Sequence, residues 1–550
     1  MSNLNNLPQP GPNCVPPAVT DNQGIAAFTL RFGTATNEAV KTGSVTHPTS
    51  TDLTNFTDGL GTYTKALKQA SPAIVDPATY EIFLQACGLA AGGTTGDFSN
   101  ANILRGGAAK LNGPRGALAG QLIGEDSQGF GALLIPPAPA LDSVAYAIEL
   151  IELYWASLVR DVPFAEYATD PTTQAAAAEL SDLAAENPLQ YAGPLDPHGK
   201  VTPELLFRGG FNGARASYFP GETVGPYLSQ FCLIPTALGR QPISQQIMTY
   251  APGQDFMITP QEWFRIQNGD SPTSLAVFDA IHRYMRCGRD TAAYTEVDEL
   301  YQAFLIAYLV AKTVGLPANP GNPYTSLANE QPFGTFGGPD IAATLAAVAR
   351  AAINAVWYQK WLVHLRHRPE AGGGIVQLLK TNALDPTDAA KLANFDTVIN
   401  SQALQTSFAR HGSYLLSQAF PEGSPTHPAY PTGHGTVAGA CITVLKFFFD
   451  GTAPFTNTVV PANDGLSLQP YNGPGPLTVN GELHKLAHNI SFGHGIHAGI
   501  HWRSDTDSSI LLGEQVAINF LLDQMYSYEE NFDIAITLMD GETTQHFKNF

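Results

Sequence analysis

Tyr430-Pro431-Thr432-Gly433-His434-Gly435 runs straight into the apolar segment Thr436–Phe449, so the chain must turn here from a loop into a helix. The turn carries a small hydroxyl residue, a glycine and a histidine. The first backbone N–H groups of a helix lack intrahelical partners and point outward, which makes such a start favour an anion. Two other stretches supply charge for one. Upstream is Lys360-Trp-Leu-Val-His364-Leu-Arg366-His367-Arg368-Pro369-Glu370; downstream is Gly493-His494-Gly495-Ile-His497-Ala-Gly499-Ile-His501-Trp-Arg503-Ser-Asp505. Together the three stretches predict an oxyanion pocket.

The local cations stand out because the chain as a whole is acidic. Its formal net charge is −20, which argues against nucleic acid or an anionic membrane as partner. With 44% hydrophobic and only 14% charged residues, a substantial core is expected, and the low charged fraction is compatible with surface covered by other subunits. Met1-Ser-Asn-Leu-Asn-Asn-Leu-Pro has no basic stretch followed by an apolar one, so no signal peptide is expected. No run of about 18 uncharged apolar residues occurs. Leu300–Leu316, interrupted by Gln302 and Lys312, reads as a core helix, and a cytoplasmic location is the default expectation. Five cysteines, odd in number and without Cys-x-x-Cys spacing, read as buried thiols.

The 550 residues have room for several average domains or one large helical body. Residues 1–60, rich in Pro, Asn, Thr and Gly, read as an irregular arm; 61–550 reads as a single large helical domain with its site motifs in 355–510. Helices are predicted at 62–69, 77–88, 142–158, 172–186, 296–314, 340–365, 388–419, 437–449 and 508–526, from apolar spacings of three and four and from capping residues. Pro369 is expected to end the 340–365 helix. Residues 200–270 look like loop and short strand, and 450–476 is a Gly/Pro/Asn-rich insertion. The fold class is mainly α, with a helical bundle in the C-terminal half.

Ten of the 14 histidines fall between His364 and His501, beside Lys360, Arg366, Arg368 and Arg503. On a helix, residues eight apart sit about 80° and about 12 Å from one another. Lys360 and Arg368 therefore meet only if the helix ends and Arg368 turns back. A basic helix end facing its own dipole would carry the same residues. Asp505 follows His501 by four; a carboxylate on one imidazole N–H fixes the tautomer and leaves the other nitrogen basic. His494, His497 and His501 share one face if their helix is unbroken, a pattern that permits a divalent metal but lacks the usual glutamates or cysteines.

Lys360…Arg368-Pro369, Pro431-Thr432-Gly433-His434 and Gly493…Gly499-x-His501-x3-Asp505 together resemble the vanadium-dependent haloperoxidase and acid-phosphatase superfamily. The match is closer to the bromoperoxidases of red algae and cyanobacteria, through Tyr358-Gln-Lys360, Arg368-Pro-Glu-Ala371, Glu422-Gly-Ser-Pro425, His427-Pro-x-Tyr430, Val437-Ala-Gly-Ala-Cys441 and Leu511-Leu-Gly-Glu-Gln-Val-Ala517. The resemblance implies a vanadate cofactor attached to His501 and held by Lys360, Arg368, the Gly433 amide and the Thr432 hydroxyl. His434 would be the acid–base group, Lys360 would polarise peroxide, and His427 matches a second pocket histidine that favours bromide or iodide. Hydrogen peroxide, halide and a small organic acceptor would be the substrates, and a large homo-oligomer, up to a dodecamer, the assembly. Gly321–Glu330 offers little beyond Glu330, so no calcium site is expected.

Two positions depart from the family pattern. Threonine replaces serine at Thr432, which keeps the hydroxyl. An arginine expected after Gly493 is absent: His494 follows instead, and one extra residue precedes His501. Without an insertion, Gly495 would fall in the arginine position. Arg503, His494 or His497 is then the candidate replacement, and a histidine there would make anion affinity fall as pH rises. Two further readings use the same residues: a phosphatase with His501 as nucleophile and His434 as acid, and a structural relative whose site has decayed.

Overall fold

The computed structural model describes residues 46–549 apart from 101, 104–108, 122–132 and 211–216, together with Ile25, Phe28, Thr29, Phe32 and Gly33. Most of the expected arm lies outside the described residues. Helices begin where a side chain can take over the free N–H groups of the first turn. Asp76 caps α1 (Pro77–Ala86), Ser143 caps α2 (Val144–Leu158) and Asp170 caps α3 (Pro171–Glu186). Residues 62–69, expected to be helical, are not. Tyr63 N–H donates to Leu365 O, Ala66 has φ +68, and Gln69–Ser71 (β1) pairs with Ile74–Val75 (β2). Long-range backbone pairing overrides the local preference here.

Residues 200–270 contain the predicted short strands, β3 (Thr236–Leu238) paired antiparallel with β4 (Gln241–Ile243), and also a helix, α4 (Pro260–Gln267). The helix predicted to begin at Glu296 begins at Gln302 instead. α5 (Gly288–Glu296) stops at Val297 (φ −130, ψ 82), and α6 (Gln302–Val314) follows a short break that contains Asp298. α7 (Gly338–Tyr358) continues as a π-helical turn, Gln359–His364, which Leu365 closes at φ +47. Pro369 does not end this helix. It stands at the first position of α8 (Pro369–Lys380), where its missing N–H leaves no bond unmade. The helix expected over 388–419 is three pieces: Pro386–Lys391, Phe395–Ile399 and α9 (Gln402–His411). The Ser401 hydroxyl restarts the last piece and Gly412, at φ +71, closes it.

α10 (Gly433–Phe448) is buried along its whole length and packs on α7, α11 (Val479–Phe492) and α12 (Arg503–Gln524). Its contact with α12 is close because neither backbone carries bulk there: a Cβ on Gly439 would sit 2.0 Å from Ile510 O, and one on Gly513 2.0 Å from Thr436 O. α12 starts five residues before the predicted Ser508, because Asp505 accepts from the Trp502 N–H at 3.0 Å and so caps the earlier turn. Between α11 and α12 lies a second π-helical turn, Gly493–His497.

The 450–476 insertion carries the hairpin β5 (Val459–Pro461) and β6 (Leu468–Pro470). A C-terminal hairpin that sequence periodicity missed, β7 (Phe532–Thr537) and β8 (Thr544–Asn549), turns Phe532, Ile534 and Ile536 into the core. The architecture is mainly α with a few short strands, as expected. Gly338–His364 is long and apolar enough to cross a membrane; its Leu345, Val348, Ala352 and Val356 are buried within the protein core. The four cysteines among the described residues are buried free thiols, in line with the sequence.

Candidate functional site

The two π-helical turns flank the place where the three charged stretches meet. The first carries Lys360, and the αL residue Leu365 then reverses the chain so that Arg368, extended at φ −87 and ψ 155, comes back to it. Lys360 Nζ donates to the carbonyls of Pro428 and Ala429 at 2.9 and 2.7 Å, in the loop that leads to α10. Arg368 donates to His427 O and Ile500 O, both at 2.9 Å. Its Nη1 lies 2.8 Å from His501 Nε2, and its Nη2 faces the ring nitrogens of His427 at 2.9 and 3.3 Å. The His427 ring stands 4.9 Å from the Trp357 ring.

His501 is oriented from behind. Its Nδ1 donates to Asp505 Oδ2 at 2.9 Å, which leaves Nε2 as the basic nitrogen. The other oxygen of Asp505 accepts from Arg366 Nη1 at 2.8 Å, and Arg366 Nη2 reaches Glu149 at 3.0 Å. Burial opposes the Arg366 charge, but Asp505 and Glu149 hold its pKa above the ordinary value. This buried chain from Glu149 to His501 keeps Asp505 occupied on both sides.

Thr432 is the N-cap residue of α10, and its hydroxyl is buried with no hydrogen-bond partner among the described residues. Gly433 follows as the first helical residue, so its N–H is one of the free donors of the turn. His434 comes next. Its Nε2 lies 3.0 Å from Asp298 Oδ1 in the break between α5 and α6, and its ring stacks on His494 with centroids 3.7 Å apart.

Electrostatically the pocket is a set of donors without an acceptor of matching charge. Burial, then the neighbouring Arg368, pushes the Lys360 pKa well below the usual lysine value, and burial draws Arg368 down to about 10. Burial, followed by Arg368 and Lys360, also holds His427 and His501 well below the ordinary imidazole value. An anion bound here relieves all four groups.

The three candidates for the missing cation are separated by the structure. Arg503 is not in the pocket. Its Nε donates to Glu152 at 2.8 Å, its Nη2 to the same carboxylate, and its Nη1 to Arg208 O at 2.7 Å. His497 points away as well, with Nε2 3.0 Å from the Tyr227 hydroxyl, and burial takes its pKa to about 3. A cavity of about 970 Å³ lined by Phe164, Tyr167, Arg208 and Tyr227 lies beyond that tyrosine and includes none of the pocket histidines. His494 is the residue that reaches the site, 5.6 Å from the His501 ring. Gly495 has no room for a large side chain, since a Cβ there would lie 2.9 Å from His501 Cβ.

The stretch before His501 runs through the π-helical turn, a one-residue expansion of a helix. That turn also breaks the shared face assumed for His494, His497 and His501. No group of three or more His, Cys, Asp or Glu placed to hold a metal ion occurs among the described residues. Burial, then His434, His501 and Arg368, pushes the His494 pKa well below the ordinary imidazole value. The sequence reading also missed Asp298, whose only local signal was its place among the acids before the 300s helix.

No protein-family profile matches the chain. The vanadium-dependent bromoperoxidases of Corallina officinalis and Corallina pilulifera are each 33% identical to it over 476 residues, covering 77% of this chain and 77% of theirs. The chain belongs to the vanadium-dependent bromoperoxidase family. The bromoperoxidase of Ascophyllum nodosum is 34% identical over 431 residues, 76% of this chain and 75% of that one. The solved structure of a second vanadate-dependent bromoperoxidase from Ascophyllum nodosum, described as homohexameric, superposes with a TM-score of 0.81 at 26% identity, covering 98% of this chain and 93% of that chain.

Proposed function

We propose that this chain is a haloperoxidase that holds vanadate at His501 and uses hydrogen peroxide to oxidise bromide or iodide. The residues suit the cofactor. His501 Nε2 is a basic lone pair fixed by Asp505, Lys360 and Arg368 supply positive charge, and the Thr432 hydroxyl and Gly433 N–H are donors still to be matched. Vanadate would supply Lewis acidity at constant oxidation state, activating peroxide towards attack by the halide. One peroxide, one halide and one proton give hypohalous acid and water, and the acid then halogenates a small organic acceptor.

This chain's residues divide the remaining work. Lys360 and Arg368 bind the oxyanion and orient its oxygens. Gly433 lets the backbone approach it, and Thr432 donates a hydrogen bond. His434, anchored through Nε2 to Asp298, has Nδ1 left to give and take the proton of the reaction. His427, set between Arg368 and the Trp357 ring, forms a semi-apolar wall that suits a large, weakly hydrated halide. Without an arginine at position 494, vanadate affinity is lower by about 1.5–3 kcal/mol than such a cation would give, and activity at low vanadate falls accordingly. A homo-oligomer is the expected assembly, supported by the homohexameric neighbour.

The observation that carries this reading is the Asp505–His501–Arg368 line, which presents a basic nitrogen beside a guanidinium inside a buried cationic pocket. Orthovanadate titration of the purified protein tests it, with bromination by peroxide and phosphate-ester hydrolysis assayed on the same samples. Saturable, vanadate-dependent bromination is expected. Hydrolysis without vanadate that vanadate inhibits would replace the reading with a phosphatase, and neither activity would replace it with an inactive relative.

A further inference from the structure

The cavity of about 970 Å³ beyond Tyr227 is built from other residues than the oxyanion pocket, and its volume is that of a small-molecule site. Its walls are mainly apolar and aromatic, with Phe164, Tyr167, Leu195, Val224, Tyr227 and Tyr471 among them. The inner wall is fixed. Phe164 stacks on Tyr227 with ring centroids 3.8 Å apart and planes at 10°. The Tyr227 hydroxyl donates to Phe207 O at 2.7 Å, and His497 Nε2 stands 3.0 Å behind it. The outer part leaves apolar surface uncovered, with Val224 51% and Leu195 41% exposed. A flat apolar molecule entering here leaves water without rearranging the wall.

One charge narrows the kind of molecule. Four charged side chains line the cavity among the described residues, and three are accounted for. Arg286 Nε is 3.3 Å from Asp290, Asp196 accepts the N–H groups of His198 and Lys200, and Glu204 is exposed to solvent. Arg208 differs. It is 7% exposed, and its Nε, Nη1 and Nη2 donate to the carbonyls of Glu204, Glu222 and Gly225 at 2.7, 3.1 and 2.9 Å. Three of its five N–H groups are thus used, and no carboxylate among the described residues forms an ion pair with it. Burial draws its pKa below the usual arginine value. A buried guanidinium held by dipoles alone gains from an anionic partner.

We propose that this cavity is a second ligand site, which takes an organic acid with a flat apolar ring body and one carboxylate. The rings lie along the Phe164–Tyr227 wall and the carboxylate meets Arg208. Because Tyr227 closes the cavity against His497, such an acid and an oxyanion at His501 occupy the protein together. The site stands whether or not the chain is a peroxidase.

Calorimetric titration of the full-length protein with naphthoate and with its neutral amide tests this. The wild type is expected to bind one naphthoate per chain, and the amide about tenfold or more weakly, the size expected of one charged hydrogen bond. Saturating orthovanadate leaves naphthoate binding unchanged. Arg208→Gln brings the acid down to the level of the amide. Val224→Trp fills the cavity from its half-exposed side and abolishes binding of both probes, while vanadate binding stays as in the wild type. Should Arg208→Gln fail to fold, the comparison of acid with amide and the Val224→Trp variant still decide. Equal binding of acid and amide would make the site one for neutral molecules and overturn the proposal. So would displacement of naphthoate by orthovanadate, which would place it in the oxyanion pocket. No binding to the wild type, with a large assembly on light scattering, would give the cavity to a second copy of the chain and overturn it as well.

Discussion

Asp298 Oδ1 and His434 Nε2 stand 3.0 Å apart across 136 residues of chain, and the pairing exists because the helix over residues 288–314 is interrupted. The carboxylate holds the imidazole edge-on and leaves Nδ1 for proton transfer. Asp298→Asn is expected to lower the bromination kcat by about tenfold or more, within the range attributed to positioned acid–base groups. Vanadate affinity should change little, since Asp298 meets the pocket through His434. A loss confined to vanadate affinity, with kcat intact at saturation, would contradict this role.

Thr432 separates binding from folding. Its buried hydroxyl has no hydrogen-bond partner among the described residues, so Thr432→Val removes an unmet polar group without changing shape. Thermal unfolding without vanadate is expected to occur at the same temperature or higher, since an orphaned buried group costs about 1–3 kcal/mol. Vanadate affinity is expected to drop by about tenfold. A destabilised variant with unchanged affinity would show that the hydroxyl serves the fold.

Asp505 is argued to act through His501. Asp505→Asn keeps the size of the side chain but removes the charge that Arg366 and the His501 Nδ1–H both meet. Carboxylate partners of ligating histidines are typically worth about ten- to a hundredfold in affinity, and a loss of that order in vanadate binding is expected by calorimetry. Unchanged binding would mean that His501 is not oriented through this pair.

Burial first and Arg368 second hold the Lys360 pKa down, so an anion that enters should raise it. Binding then takes up a proton at Lys360, and affinity falls as pH rises between the depressed value and the ordinary one of 10.5. The sign for folding is opposite. In that window the unfolded chain binds more protons, so the stability of the anion-free protein rises with pH. Titrations in buffers of different ionisation heat should report an uptake of protons that Lys360→Met abolishes; release of protons would contradict it.

Much of this site was legible because its chemistry is written in short local patterns. His501 and Asp505, four apart, are joined directly, and Thr432-Gly433-His434 opens a helix where the apolar segment begins. What could not be read were the consequences of distant pairing. Tyr63 is drawn to Leu365 O, which costs 62–69 its helix, and Asp298 becomes a partner of His434 only through a break in the chain. The π-helical turn at Gly493–His497 decided the remaining question. A one-residue expansion places His494 in the pocket and turns His497 towards Tyr227, whereas regular helical spacing predicted a shared face. Arg503 looked like a spare cation until its two-pronged pairing with Glu152 was seen.

The central claim is that His501 Nε2 is the attachment point of vanadate, and a crystal structure of the protein loaded with orthovanadate tests it most directly. The account predicts vanadium bonded to His501 Nε2, with its oxygens met by Lys360, Arg368, the Thr432 hydroxyl and the Gly433 N–H. Vanadate found elsewhere, or held in this pocket with His501 Nε2 still bonded to Arg368, would contradict it.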